Sequence, residues 1–224
     1  ILEQQITQYW NENFKVHIHA NGDKGIQQVL DFVSVNQKDN PRKDHRLTLH
    51  HMGYFADEMA DQIAKMGVEA SVNPYYLWAL ADKYAINGLG KARAENLVAL
   101  NSLARRNVTT SYHSDFAMAP MEPLTLAWTA INRVTSGNKK VSQDQRVDTY
   151  TAMKAITISA AKTLNLEHKI GSIEAGKTAN FTILKQNPFK VEPITIKNIG
   201  ILGTVYRGTF YINKSANLKP VPLS

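Results

Sequence analysis

Seven histidines stand in this 224-residue chain, and five of them fall in three short segments. The first reads His17-Ile18-His19-Ala20-Asn21-Gly22-Asp23, the second His50-His51-Met52-Gly53, and the third His113-Ser114-Asp115. Imidazoles mixed with carboxylates are the usual ligands of catalytic zinc and related divalent ions. An ion held in this way brings the pKa of a bound water towards neutrality and polarises a carbonyl. A carboxylate beside that water can relay its proton to a leaving group. The chemistry suggested is hydrolysis of a carbon–nitrogen or related bond. Each histidine taken alone is more often a satisfied core or surface residue. It is the repetition at three strand ends that points to a metal site. His17 and His19 share one strand face, so one of the pair is a ligand candidate and the other a supporting residue. Neighbouring His50 and His51 alternate, so one at most is expected to enter the site.

These segments need elements to position them. The apolar period switches repeatedly between about 2 and about 3.6, the pattern of alternating strands and helices. Strands are predicted over 15–20, 46–51, 68–73 and 108–113. Helices are predicted over 2–11, 24–35, 56–66, 92–105 and 123–134. The aromatic stretch 74–84 is given no element of its own. A further helix starts near Ser142, where Ser142 and Gln145 read as a capping box, and 152–164 continues it. Four β-α units predict a parallel sheet with helices packed outside it, either a small open α/β sheet or half of an eight-fold barrel. Reactive groups in such architectures gather at the C-terminal ends of the strands, where the three segments lie. After Leu166, Gly171, Gly176, Pro188, Pro193, Gly200, Gly203 and Gly208 punctuate short β-type runs. The organisation expected is therefore a catalytic α/β domain over 1–166, a small β appendage over 167–213 and a tail over 214–224.

Composition excludes other classes. The formal charge is +7, but Lys and Arg are dispersed, and the densest groups are pairs such as Arg105-Arg106 and Lys139-Lys140. No nucleic-acid partner is expected from so diffuse a pattern. No apolar run approaches the roughly 18–20 residues needed to cross a bilayer, so no membrane partner is expected. Cysteine is absent, which removes disulfides and thiolate ligands and leaves the compartment open. The chain opens at Ile1 in the middle of a helical pattern, and the expectation is that an upstream portion has been removed.

At this point the sequence resembles the amidohydrolase superfamily, particularly its family 3 branch. His19-Ala20-Asn21-Gly22-Asp23 is similar to the segment after barrel strand 5, where the His binds metal. The segment from Arg46 to His51 is similar to strand 6, whose last His is a ligand, and this selects His51 and His19. The run from His113 to Pro120 is similar to strand 8, whose Asp binds metal and relays a proton, the role implied for Asp115. The resemblance continues through Ala155–Ala161 and Ile170–Phe181, the passage into a small β-sandwich, with Asn180 where family members usually carry Asp. It implies the C-terminal half of a (β/α)8 barrel with part of a β-sandwich. Metal ligands would be His19, His51 and Asp115, with Asp115 catalytic. His17, His113, Tyr75 and Tyr76 are candidates for substrate contact or support of the ligands. Arg93 and Arg133 are candidates for carboxylate recognition, with ordinary surface pairs as the alternative.

The family also uses a His-x-His pair on strand 1 and a bridging ligand on strand 4. His17-Ile18-His19 has the spacing of the former, but the Asn-Gly-Asp after it suits strand 5. The implied function is a metal-dependent hydrolase of amides, cyclic amides or related C–N bonds, with zinc the default ion and manganese, iron or nickel compatible. The implied partner is a small-molecule substrate. This chain alone is expected to be weakly active or inactive, and to self-associate through unpaired strand edges. The rival reading is a non-catalytic truncated or regulatory relative.

Overall fold

The computed structural model describes residues 2–213 and has an α/β architecture with two separate sheets. Helix α1 (Leu2–Asn11) precedes β1 (His17–Ala20), α2 (Asp23–Asp39), β2 (Thr48–His51), α3 (Asp57–Met66) and β3 (Glu69–Val72). Helices α4 (Tyr75–Ile86), α5 (Lys91–Glu95) and α6 (Leu100–Ala104) lead to β4 (Thr110–Tyr112). Helices α7 (Pro123–Asn132), α8 (Thr149–Ala155) and α9 (Ile158–Thr163) complete this part. Strands β5 (Phe181–Leu184), β6 (Ile201–Tyr206) and β7 (Thr209–Ile212) form an antiparallel sheet of their own. The tail expected beyond it lies outside the described residues.

The first sheet is parallel, in the order β1-β2-β3-β4, and its register explains its two faces. Ile18, Leu49 and Ala70 lie side by side, with Ala20 and Val72 two residues on. This face is buried against Ile26, Leu30 and Val33 of α2 and Met59, Ala60 and Ile63 of α3. Each fully buried aliphatic side chain there contributes about 1.5–3 kcal/mol. On the other face His17, Thr48 and Glu69 form one row, and His19, His50, Ser71 and Ser111 the next. A face built from such residues needs polar partners, because an unpaired buried polar group costs free energy. At its lower end α9 supplies several of them, and Glu69 Oε2 is left buried without a hydrogen-bond partner among the described residues. Thr163 Oγ1 donates to Ser111 Oγ at 3.2 Å, and Lys162 Nζ donates to Thr109 Oγ1 at 2.9 Å. Arg46 reaches the same corner, pairing with Glu167 at 2.6 Å and donating to the Lys162 carbonyl at 3.3 Å. The upper end of the face is left to the histidines.

Three elements differ from the sequence pattern. The stretch 74–84 is helical, as α4. Its start is set by Asn73, whose Oδ1 accepts the Tyr75 N–H at 3.1 Å, and by Pro74 at φ −61. Its aromatic residues lie all round the helix, so no apolar stripe marks it. The helix expected over 92–105 is broken into α5 and α6 at 96–99, where Val98 has φ +53. The capping box at Ser142 does not form: Ser142 makes no side-chain cap and precedes a single 3-10 turn. Asp148 caps α8 instead, accepting the Thr151 N–H at 2.7 Å. The chain breaks again at Ile156–Thr157 before α9. In the appendage, the 3-10 turn Pro193–Asn198 is fixed to α7 by Trp128, whose Nε1 donates to the Ile194 carbonyl at 2.8 Å. Asn180 Oδ1 accepts the Arg207 N–H at 2.9 Å, an acceptor role that the Asp expected there also fills.

Helix α1 is anchored by Trp10, which is buried and donates to the Asn40 carbonyl at 2.9 Å. Its ring lies 4.9 Å from the buried His45 ring and 5.0 Å from the Arg42 guanidinium carbon. His45 Nε2 lies 2.8 Å from the Met66 carbonyl, and its Nδ1 accepts the Leu47 N–H at 3.0 Å. That arrangement uses a neutral imidazole. Burial, and to a lesser degree Arg42, hold the His45 pKa below its ordinary value, outweighing the Met66 carbonyl and Asp44. The unfolded chain therefore takes up this proton first as the pH falls. The stability that His45 contributes is complete above about 6.5, the unfolded value, and is lost below it. Urea unfolding between pH 7.5 and 5 should show falling stability, with a shallower fall in His45→Gln. An identical pH dependence in the two proteins would remove His45 from this role.

Candidate metal centre at the strand ends

The upper end of the polar face gathers all five of the clustered histidines. His19 and His50 lie side by side in the register, and His113 follows β4 with its Nδ1 2.9 Å from Ser71 Oγ. His51 occupies the next register row, with Ala20 and Val72, where alternation would aim it at the helices. It does not go there. His51 has φ +73 and Met52 φ +47, so the strand ends in two left-handed residues. Met52 takes the fully buried position, and the His51 ring swings to the polar side. It lies 4.3 Å from the His19 ring, 4.9 Å from that of His113 and 6.0 Å from that of His50. The expectation that His50 and His51 exclude one another is therefore corrected. Strict alternation fails where the backbone leaves the β region.

Main-chain bonds fix the turn. Met52 N–H donates to Ala20 O at 3.2 Å, Tyr54 N–H to Asn21 O at 3.1 Å, and Asn73 N–H to His51 O at 3.2 Å. Gly53 passes so close to β1 that an added Cβ would stand 2.8 Å from Asn21 Oδ1 and 3.1 Å from Asn21 O. No larger residue fits without displacing the Asn21 that supports the site.

The polar contacts converge on His51 Nδ1. His113 Nε2 is 3.1 Å from it, Tyr76 Oη 3.3 Å and Asp115 Oδ2 4.0 Å. Asn21 Nδ2 donates to Tyr76 Oη at 3.3 Å, and His17 Nδ1 lies 2.7 Å from His50 Nε2. Burial, then the neighbouring imidazoles, push His50 and His113 down to about 4. Burial also lowers His17, and burial with His19 lowers His51 against the opposing Asp115. At pH 7 these rings offer lone pairs, the form a metal takes. A cavity of about 430 Å³ opens beside them, and His51, His113, Asp115, Phe116, Met121 and Leu126 are among the residues that line it.

The structure brings His19, His51, Asp115, His113 and Tyr76 together, with His17 below them against His50. Tyr75 is not among them: it is buried and packs edge-on against Trp78, ring centroids 6.2 Å apart. Arg93 lies over the Tyr54 ring at 5.4 Å. Arg133 makes no surface pair, since it is buried and bonded to main-chain carbonyls. Sequence reasoning passed over Ser71 and Asn21, whose roles depend on contacts across strands. In donor type, His19, His51 and Asp115 suit a divalent ion. Among the described residues no three such side chains are already arranged around one point, the imidazoles being paired with one another instead.

Comparison with known proteins places the chain in one family. The model described as "Amidohydrolase family" matches residues 2–212. Protein LONG AFTER FAR-RED 3 of Arabidopsis thaliana is 33% identical over 175 residues, covering 77% of this chain and 30% of that protein. An N-substituted formamide deformylase of Arthrobacter pascens is 24% identical over 201 residues, covering 89% of this chain and 37% of the enzyme. The chain thus spans about a third of the length of these relatives. An uncharacterized metal-dependent hydrolase of Pyrococcus horikoshii has the same fold over 85% of this chain and 38% of its own, with a TM-score of 0.70 at 22% identity.

The close approach at Gly53 gives a direct test of the turn. Gly53→Ala should lower the stability by about 1–3 kcal/mol, the usual cost of forcing an extra methyl into a packed site. Urea denaturation would measure this, and an unchanged midpoint would show that Asn21 gives way freely.

Proposed function

The chain belongs to the amidohydrolase superfamily, in its family 3 branch, and from that premise we propose that its histidine-rich strand ends serve metal-dependent hydrolysis of an amide, cyclic amide or related C–N bond. The observation that carries this reading is the meeting of imidazoles with one carboxylate at the C-terminal ends of parallel strands. His19, His51 and Asp115 would hold the ion, with zinc the default for such ligands. When bound, a divalent ion supplies a nucleophilic water near neutral pH and polarises the substrate carbonyl. Asp115, half exposed at the cavity wall, would take a proton there and pass it to the leaving nitrogen. His113, bonded to Ser71, orients His51.

The cavity wall also favours one kind of substrate. Phe116, Met121, Pro123 and Leu126 are apolar, and the charged residues lining the cavity are Asp115 and Glu122, with no Lys or Arg. A neutral apolar substituent suits that wall, whereas the carboxylate of an N-acyl amino acid would face two acidic groups. Efficient catalysis needs ligands and pocket fixed beforehand. The described residues leave the imidazoles paired with one another, so this chain by itself would turn over slowly. Among the described residues β1 and β4 end the sheet, and such edges suit association between copies.

The test is an assay of zinc- or manganese-loaded chain against neutral N-substituted amides, cyclic amides and N-acyl amino acids. Slow turnover of the neutral amides is expected, falling at least about a hundredfold in Asp115→Asn. Rates indifferent to Asp115→Asn and to chelation would contradict the reading and favour a non-catalytic relative.

A further inference from the structure

One buried charged side chain has no part in the site and, among the described residues, is held by main-chain carbonyls, with Asp144 the carboxylate whose charge favours it. Arg133, at the end of α7, is 0% exposed and has φ +47. Its guanidinium donates to four main-chain carbonyls: Nη1 to Val98 at 2.7 Å, Nη2 to Leu97 at 2.9 Å and Glu95 at 3.0 Å, and Nε to Val141 at 3.3 Å. Burial lowers its pKa to about 10, so it stays charged at neutral pH. Burying a cation is costly unless its donors are satisfied, and here main-chain carbonyls alone satisfy them. Two of those carbonyls, Leu97 and Val98, belong to the loop between α5 and α6, and the third, Glu95, is the last residue of α5. In that loop Val98 sits at φ +53, a conformation that a β-branched residue rarely adopts. The Val98 N–H donates to Gly53 O at 2.9 Å. Gly53 is two residues beyond His51, on the left-handed turn that aims His51 at the cluster. The turn is thus gripped from two sides, by Asn21 at the end of β1 and by Val98.

We propose that Arg133 is a positioning residue for His51, acting through the end of α5, the 96–99 loop and the Val98–Gly53 hydrogen bond. The inference rests on the functional reading only in taking His51 as a metal ligand. The forked geometry is what the role requires. A guanidinium presents donors in a fixed plane and can bind several carbonyls at once, whereas lysine is a point charge with a flexible stem. Arg133→Lys therefore keeps the charge and loses the grip on Leu97, Val98 and Glu95 together. The loop then relaxes from the strained Val98 conformation, and the Gly53 carbonyl loses its partner.

The test combines two NMR measurements with zinc titration of the same samples. In the unmutated chain the Val98 amide should exchange with solvent as slowly as the amides of β2 and β3, despite lying in a loop. In Arg133→Lys the ring nitrogen signals of His51 should move, while those of His45 stay in place as a control. Zinc affinity should fall about 10–100-fold, as it does when support of a metal ligand is lost. A lower melting temperature with unmoved His51 signals would make Arg133 a purely structural clamp and overturn the proposal. Fast exchange at Val98 in the unmutated chain would overturn it as well, and needs no variant to fold. Should the unmutated chain bind no zinc, the metal reading fails, and the ring signals still decide the role of Arg133.

Discussion

The site depends on one departure from strand geometry. A β-strand sends neighbouring side chains to opposite faces, so a His-His pair at a strand end should divide between core and cavity. Two left-handed residues at the end of β2 reverse the second of them. Holding non-glycine residues there costs on the order of 1–3 kcal/mol each, and such strain persists where the surroundings over-determine it. Here they do. Met52 fills a fully buried position, and main-chain bonds from β1, β3 and the 96–99 loop close on residues 51–54. Without the reversal His51 would enter the apolar layer, and Asp115 would lose it as a neighbour.

The same sheet divides the labour of folding and chemistry. Its apolar face against α2 and α3 supplies the hydrophobic stabilisation and leaves the other face free to be polar. That second face is sealed at its base by α9, with Thr163, Lys162 and Arg46 matching Ser111, Thr109 and Glu167. Burial at its upper end keeps the crowded imidazoles neutral, which spares the cluster self-repulsion and leaves nitrogen lone pairs available. Packing and reactivity thus have one cause, the partial exclusion of water from a row of histidines.

Much of this was legible from residue order. The alternation of strand and helix periods placed the three histidine-bearing segments at strand ends, and the family resemblance selected His19, His51 and Asp115 within them. What it could not report was a change of backbone region, so His50 and His51 read as mutually exclusive. Helix α4 was hidden by aromatic residues on all sides, and the Asn73-Pro74 start signal carried more information than the apolar pattern after it. Arg133 read as a partner for a carboxylate or as one half of a surface pair. Its burial is decided by a loop some 35 residues earlier in the chain, a contact that no local window contains. Tyr75 and Tyr76 are adjacent and chemically alike, yet the turn of α4 sends one to the core and the other to His51.

The central claim is that His19, His51 and Asp115 share one divalent ion. A crystal of the zinc-soaked protein, with anomalous data collected at the zinc edge, tests it most directly. A single strong peak among these three side chains is expected, with metal-to-ligand distances of about 2.0–2.2 Å. A peak on His17 and His50 instead, or no peak at these strand ends at saturating zinc, would contradict it.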